Sequence, residues 1–466
     1  MADLYDLAIL GGGSGGYVGA IRAAQLGMKV AVVEEEKVGG TCLHRGCIPT
    51  KALLQSAALL DQIAHGGRLG VTAGDVAYDH AKGSAYKRDV VNRLWKGVEF
   101  LLRKNKVDTI AGRGRLAGPG RLLVSGGKDG DVEVSARNVL VATGSSPRTL
   151  PGLEIDGRVV VTSDEALTLE TVPGSAVILG AGAIGVEFAS LYRSLGAEVT
   201  LVEVLPRLVP LEDDDVGADV QRQFEARGIR CLPGTKLLPD TLQRNEGGIA
   251  VTVERDGKEE RLQAELLLVA VGRGANIQDI GLEEAGVAVE RGVVKIDALQ
   301  RTNVDGILAV GDVSGGFQLA HKAMHEGVVA AEVIAAHETD PIEARRVPRT
   351  TYCTPQIGSV GLSEREAREA GYEVHVGTFP FRANGRALIW DEPGGFCKVV
   401  ADAATDDILG VHIVGHEVTE LIAGPALGML LEATPFEVSR AIAPHPTLSE
   451  VLGEAALAVS GEAIHL

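Results

Sequence analysis

Residues 39–51 read GGTCLHRGCIPTK and set two thiols, Cys42 and Cys47, five positions apart, with Gly46 between them and Pro49 placed for the first turn of a helix. Neighbouring thiols can trade an electron pair by opening and closing a disulfide. On an undistorted helix residues i and i+5 have Cα atoms roughly 8.7 Å apart, beyond the roughly 6.8 Å that a disulfide spans. The backbone must therefore bend if the pair closes, and Gly39, Gly40 and Gly46 supply that freedom. A strained, accessible disulfide at a helix start is reducible. The plainer alternatives are two buried cysteines or half of a metal site. Zinc sites add a second pair or histidines at short spacing, and Cys231, Cys353 and Cys397 stand apart, so no metal centre is expected. His44 reads as a surface side chain.

A second candidate for chemistry is His445, flanked by Pro444 and Pro446 in a segment that cannot be regular helix. Such a rigid stretch presents an imidazole in a fixed place, and Glu450, five residues on, is placed to orient the ring and raise its basicity. Standing alone, a structural histidine in a tight loop would be the default.

These groups need a scaffold, and the chain repeats one. Residues 9–34, ILGGGSGGYVGAIRAAQLGMKVAVVE, and 178–203, ILGAGAIGVEFASLYRSLGAEVTLVE, each carry an apolar strand, a G-x-G-x-x-G turn, a helix of small residues and a second strand ending in an acid. Glu34 follows Gly11 by 23 residues, and Glu203 follows Gly180 by the same 23. Turn glycines let backbone approach a pyrophosphate, the helix start offers free N–H groups, and the carboxylate can accept from a ribose hydroxyl. One glycine turn alone could serve helix–strand packing; two in full context point to two dinucleotides on one chain. A carboxylate at Glu203 favours a free 2′-hydroxyl, hence NAD over NADP, although Arg207 lies near in sequence.

The length of 466 residues suggests about three domains. Five cysteines do not make a secreted disulfide scaffold, and an isolated close pair is more often catalytic in a reducing compartment, so a cytoplasmic protein is expected. The uncharged stretch from Leu7 to Ile21 follows Asp3 and Asp6, is crowded with glycine and shows no basic leader or cleavage site. Apolar runs end well short of the eighteen or so residues a membrane span requires. With 63 acidic against 45 basic residues, the net charge of −18 disfavours nucleic acid and anionic membrane surfaces and leaves room for a basic protein partner.

Taken in order, the first glycine turn with Glu34, the two-cysteine stretch, Ala142-Thr143-Gly144, the second glycine turn, Val271-Gly272-Arg273, Ala309-Val310-Gly311-Asp312 and His445-Pro446-Thr447-Leu448-Ser449-Glu450 resemble class I flavin-dependent pyridine nucleotide-disulfide oxidoreductases over nearly the whole chain. Within that family the likeness is to the dihydrolipoamide dehydrogenases, and Ala383-Asn384-Gly385-Arg386-Ala387 resembles a stretch typical of them. The resemblance implies an α/β fold with two Rossmann-like dinucleotide-binding domains and a C-terminal α+β dimerisation domain. FAD would lie on Gly11, Gly13, Gly16 and Glu34, with Thr143 and Gly144 nearby and Asp312 at the ribityl or phosphate region. NAD would lie on Gly180, Gly182, Gly185 and Glu203, with Gly272 on its nicotinamide side. Lys51 would point toward the flavin and pair with Glu187. The bland alternatives are a turn aspartate for Asp312 and solvated surface charges for Lys51 and Glu187.

The resemblance further implies a redox-active disulfide in which Cys42 exchanges with substrate and Cys47 faces the flavin. His445, oriented by Glu450, would act as base from the other subunit of a homodimer. The substrate would be dihydrolipoamide on a lipoyl carrier protein, in a 2-oxo acid dehydrogenase complex. Two positions depart from the family pattern: Ala443, where a second histidine is common, and Gln356, where many relatives have glutamate. The competing readings are a glutathione- or mercuric-reductase-like enzyme, and a flavin-containing redox sensor or scaffold. The chain ends without the extra cysteine pair of mercuric reductases.

The expected organisation is an interrupted FAD domain at 1–149 and 275–346, an NAD domain at 150–274 and an interface domain at 347–466. Alternating stretches at 395–400 and 408–413 predict antiparallel strands, followed by a helical run around 418–433. Cys231, Cys353 and Cys397 are expected to be small packed residues.

Overall fold

The computed structural model describes residues 4–127 and 130–466, so Asp3 lies outside the described residues. The chain forms two compact units, one from residues 1–52, 82–148 and 273–344, the other from residues 53–81, 149–272 and 345–466.

In the first unit, β1 (Leu4–Leu10), α1 (Ser14–Gln25) and β2 (Val30–Glu34) realise the first repeat. The strands are parallel, with Leu7 opposite Val30, and β1 also pairs in parallel with the strand Gly130–Val141. They belong to a seven-stranded sheet whose other half, Arg113–Leu116 and Arg121–Gly127, runs antiparallel. Leu7, Ile9, Val30, Val32 and Leu140 on this sheet are wholly or almost wholly buried with Ala20 and Ala23 of α1, as expected for a parallel sheet covered by helices. α1 also packs closely on the helix Ala320–Ile334, where a Cβ on Gly327 would fall 2.3 Å from the Gly15 carbonyl oxygen.

The second unit repeats the motif with strand Ser175–Leu179, helix Ala183–Ser194 and strand Glu198–Val202, in an all-parallel five-stranded sheet. A three-stranded antiparallel sheet over Lys236–Ala264 accompanies it. The C-terminal part is a five-stranded antiparallel sheet, and its strands Phe396–Asp402 and Ile408–Gly415 place Val399 opposite Val411. The helix Glu450–Val459 lies so close to this sheet that a Cβ on Gly377 would meet the Ala455 carbonyl oxygen at 2.2 Å. The helical run expected around 418–433 is shorter than its pattern suggests, being one 3-10 turn, Val418–Glu420, and then a helix Ala423–Leu430. Among the described residues no helix is long and apolar enough to cross a membrane.

Candidate active site

Both glycine turns are built around positions where a side chain has no room. Gly11 has φ +103°, and a Cβ there would fall 2.4 Å from the Ala142 carbonyl oxygen; Gly180 has φ +101°, and its Cβ would fall 2.4 Å from that of Ala270. In each turn the third glycine, Gly16 or Gly185, packs so tightly on the carbonyl of the first that a methyl group would overlap it. Gly13 and Gly182 open their helices without any side-chain cap, leaving the first-turn N–H groups to a ligand. The acids stand in matching places, Glu34 as the last residue of its strand and Glu203 directly after Val202. Glu34 accepts from the Gly12 N–H at 2.7 Å and the Glu36 N–H at 2.9 Å; Glu203 accepts from Ala181 at 2.7 Å and Leu205 at 2.8 Å. Each carboxylate is thereby fixed beside its turn with lone pairs to spare for a ribose. This bare-backbone cradle with a fixed carboxylate fits a dinucleotide twice. Arg207 pairs with Asp214 at 2.8 Å, so its guanidinium is engaged by a carboxylate.

The cysteines sit against the first cradle. Gly40 (φ +64°) opens α2 (Gly40–Arg45), and a Cβ on it would fall 2.6 Å from Gly13 Cα. The bend comes at Gly46 (φ −141°, ψ −115°), which ends α2 and leads straight into the 19-residue α3 (Cys47–His65). The helix starts two residues before Pro49, whose missing N–H costs nothing in a first turn. Cys47 thus occupies a helix start, where the dipole stabilises negative charge. Both sulfurs are half-buried free thiols hydrogen-bonded to each other. The bond to Cys47, burial and the negative charge of Cys47 push the Cys42 thiol far up, with Lys51 opposing. Tyr17 of α1 is close enough that burial and then the Cys42 charge raise its phenol.

The remaining expected cofactor residues line the same unit or its counterpart. Thr143 and Asn276 exchange hydrogen bonds at 2.8 and 2.9 Å, while Gly144 and Gly272 adopt positive φ with open space where a Cβ would stand. Asp312 lies in a 3-10 turn, Gly311–Ser314, and accepts from the Ser145 hydroxyl. Glu187 is buried and accepts from the Tyr352 N–H at 2.9 Å, so it is no solvated surface charge. Gln356 accepts from the Thr419 hydroxyl at 2.8 Å, a structural task for an amide at that place.

His445 and Glu450 belong to the second unit. The ring's Nδ1 lies 2.8 Å from Glu450 Oε1, and Glu450 Oε2 accepts from the Thr447 N–H at 2.9 Å. With Nδ1–H donated to the carboxylate, Nε2 is left as a proton acceptor on a side chain 78% exposed. Burial would raise the Glu450 carboxyl, but the bonds from His445 and Thr447 hold it below the usual range. Sequence reasoning missed Asn384, which is buried and donates from Nδ2 to the Thr447 carbonyl at 3.0 Å, pinning the histidine loop. Its signal was the 383–387 stretch, read only as a likeness. In the stretch of chain that leads into this loop large apolar side chains stand in the open, among them Leu431, Phe436 and Ile442, the last 98% exposed. Cys231, Cys353 and Cys397 are buried, and burial pushes the Cys231 and Cys397 thiols up to about 12.

Comparison with known proteins agrees with this geometry. Residues 5–327 match the family model for pyridine nucleotide-disulphide oxidoreductases, and residues 347–456 match the dimerisation domain of the same family. The dihydrolipoyl dehydrogenase of Bacillus subtilis is 46% identical over 474 residues, covering 100% of both chains, and that of Rhizobium etli is 45% identical over 482 residues with the same coverage. The crystal structure of LpdA from Mycobacterium tuberculosis superposes with a TM-score of 0.89 at 29% identity, covering 97% of this chain and 98% of that one. The chain belongs to the pyridine nucleotide-disulphide oxidoreductase family.

Proposed function

We infer that this chain is a FAD-dependent disulfide oxidoreductase that oxidises protein-bound dihydrolipoamide to lipoamide and reduces NAD to NADH, the activity of a dihydrolipoyl dehydrogenase. The observation that carries the reading is the contact of Gly40 with Gly13, which sets the two-cysteine helices on a dinucleotide cradle. FAD would be held by Gly11, Gly13, Gly16 and Glu34 and would supply a two-electron acceptor for the dithiol, and NAD, held by Gly180, Gly182, Gly185 and Glu203, would supply the final hydride acceptor.

The protein's own groups account for the sulfur chemistry. With the pair oxidised, a substrate thiolate attacks Cys42 Sγ, the sulfur–sulfur bond breaks, and Cys47 leaves as the thiolate that its helix start stabilises. The second lipoyl thiol then attacks the mixed disulfide, closing lipoamide and releasing Cys42. His445 Nε2 takes the proton of the first attacking thiol and releases it to solvent, then takes that of the second and delivers it to the departing Cys42 sulfur, while Glu450 holds the ring in the required tautomer and bears on the imidazolium that forms. The base is supplied by a second subunit, a reading supported by the match to a dimerisation domain and by the exposed apolar side chains of residues 431–442, which precede His445 in the chain. Glu203 selects NAD through the ribose 2′-hydroxyl, with Arg207 turned to Asp214. We infer further that Lys51 and Glu187 each serve cofactor binding, that the chain divides into FAD, NAD and interface domains, and that the enzyme works in the cytoplasm within a 2-oxo acid dehydrogenase complex.

Cys42→Ser tests the assignment. The variant should retain FAD, yield no NADH from dihydrolipoamide, and show no step in anaerobic dihydrolipoamide titration of the flavin spectrum. Retained turnover removes Cys42 from the exchange step.

A further inference from the structure

Arg273 and Ser145 carry none of the roles described above, yet they end in one of them. The guanidinium donates from Nε to the Ser145 hydroxyl at 2.9 Å and from Nη2 to the Ser145 carbonyl at 2.6 Å. Ser145 is only 4% exposed, and its hydroxyl donates to Asp312 Oδ2 at 2.5 Å. The polarity of this chain has one solution. Arginine only donates, so the hydroxyl must receive it with a lone pair, and its single hydrogen is left for the carboxylate. The backbone holds both donors in place, because Ser145–Pro147 and Arg273–Ala275 form a two-stranded antiparallel ladder with Ser145 opposite Ala275. The backbone just before Asp312 is held as well. The Gly311 N–H is bound by buried Glu326 at 2.7 Å, and Glu326 is bound by Lys322.

We propose that Arg273 and Ser145 are positioning residues for the flavin, a guanidinium-to-hydroxyl relay that fixes one oxygen of Asp312 so that the carboxylate meets FAD in a single orientation. This rests on the reading of the first cradle as the FAD site. With the hydroxyl gone, the carboxylate would be free to turn and to take water, and the Nε of Arg273 would lose that hydroxyl as acceptor.

The test measures FAD binding by the apoprotein, followed by quenching of flavin fluorescence, and the visible spectrum of the reconstituted protein. Ser145→Ala and Arg273→Met should each weaken FAD binding roughly tenfold to a hundredfold, the effect of losing a hydrogen bond to a charged group. Ser145→Thr, which keeps the hydroxyl, should restore affinity, and Ser145→Ala should shift the flavin absorption band. On an Asp312→Asn background, Ser145→Ala should cost little more, because it acts through that carboxylate. Wild-type affinity in both single variants, or losses that simply add to that of Asp312→Asn, would overturn the relay while leaving the FAD site standing. A wild-type chain that takes up no FAD would instead overturn the site itself, and the relay with it.

Discussion

Glu450→Gln isolates what the carboxylate does for His445. Glu450 serves two donors with two oxygens, Nδ1–H of His445 on Oε1 and the Thr447 N–H on Oε2. Glutamine has one acceptor oxygen and one donor nitrogen. If its oxygen stays with Thr447, its NH2 faces Nδ1, and the ring must move its proton to Nε2, the atom that has to receive the substrate proton. If it turns the other way, two donors collide at Thr447. Either arrangement also removes the negative charge beside the imidazolium, a hydrogen bond to a charged group being worth about 1.5–3 kcal/mol, or roughly ten- to 150-fold in rate. We therefore expect kcat for NADH formation from dihydrolipoamide to fall at least tenfold with KM changing far less. NADH oxidation by ferricyanide, which bypasses sulfur exchange, should stay near wild type. A variant whose dihydrolipoamide kcat stays within twofold of wild type would refute the base assignment.

Two further perturbations probe the scaffold. Lys398 is buried and binds Asp213 at 2.9 Å, Asp215 at 2.6 Å and Glu364 at 2.9 Å, so Lys398→Met should destabilise the fold by about 3–5 kcal/mol in urea at pH 7, and an unchanged midpoint would count against the network. Burial pushes the Asp213 carboxyl up, but the His412 charge and the Lys398 bond hold it below the ordinary range; its stabilisation is therefore complete above that range and lost as pH falls through the lowered value, and the gap between wild type and variant should narrow on acidification. Gly40→Ala puts a Cβ 2.6 Å from Gly13 Cα at φ +64°, and should yield protein largely stripped of FAD, read from the ratio of flavin to protein absorbance; full flavin content would mean the contact does not shape the cradle.

The parts of this molecule that could be read from its residues are those whose causes are local. Gly11 and Gly180 are needed because backbone carbonyls from Ala142 and Ala270 occupy the space of a Cβ, and a glycine repeat announces that directly. Glu34 ends its strand and Glu203 follows its own by one residue, at a spacing that the strand–helix–strand unit dictates. The antiparallel pair at Phe396–Asp402 and Ile408–Gly415 shows in simple alternation. What stayed hidden depends on partners far along the chain: Ser145 meets Arg273 and Asp312, and Asn384 meets Thr447, through contacts that no window of sequence contains. The start of α3 at Cys47 was masked for the opposite reason, since Pro49 is tolerated anywhere in a first turn and does not mark which residue begins it.

The break at Gly46 puts the two sulfurs on separate helices that meet at one residue. Cys47 is carried by a long helix whose Ile48, Leu53, Leu54 and Ala57 are packed into core, whereas Cys42 rides on a six-residue helix joined to it through one glycine. Drawing the atoms together or letting them part then calls for torsion at a single link, and the long helix need not melt or slide in any turnover. An enzyme so arranged can cycle its oxidation state many times while the helix that carries Cys47 keeps one shape.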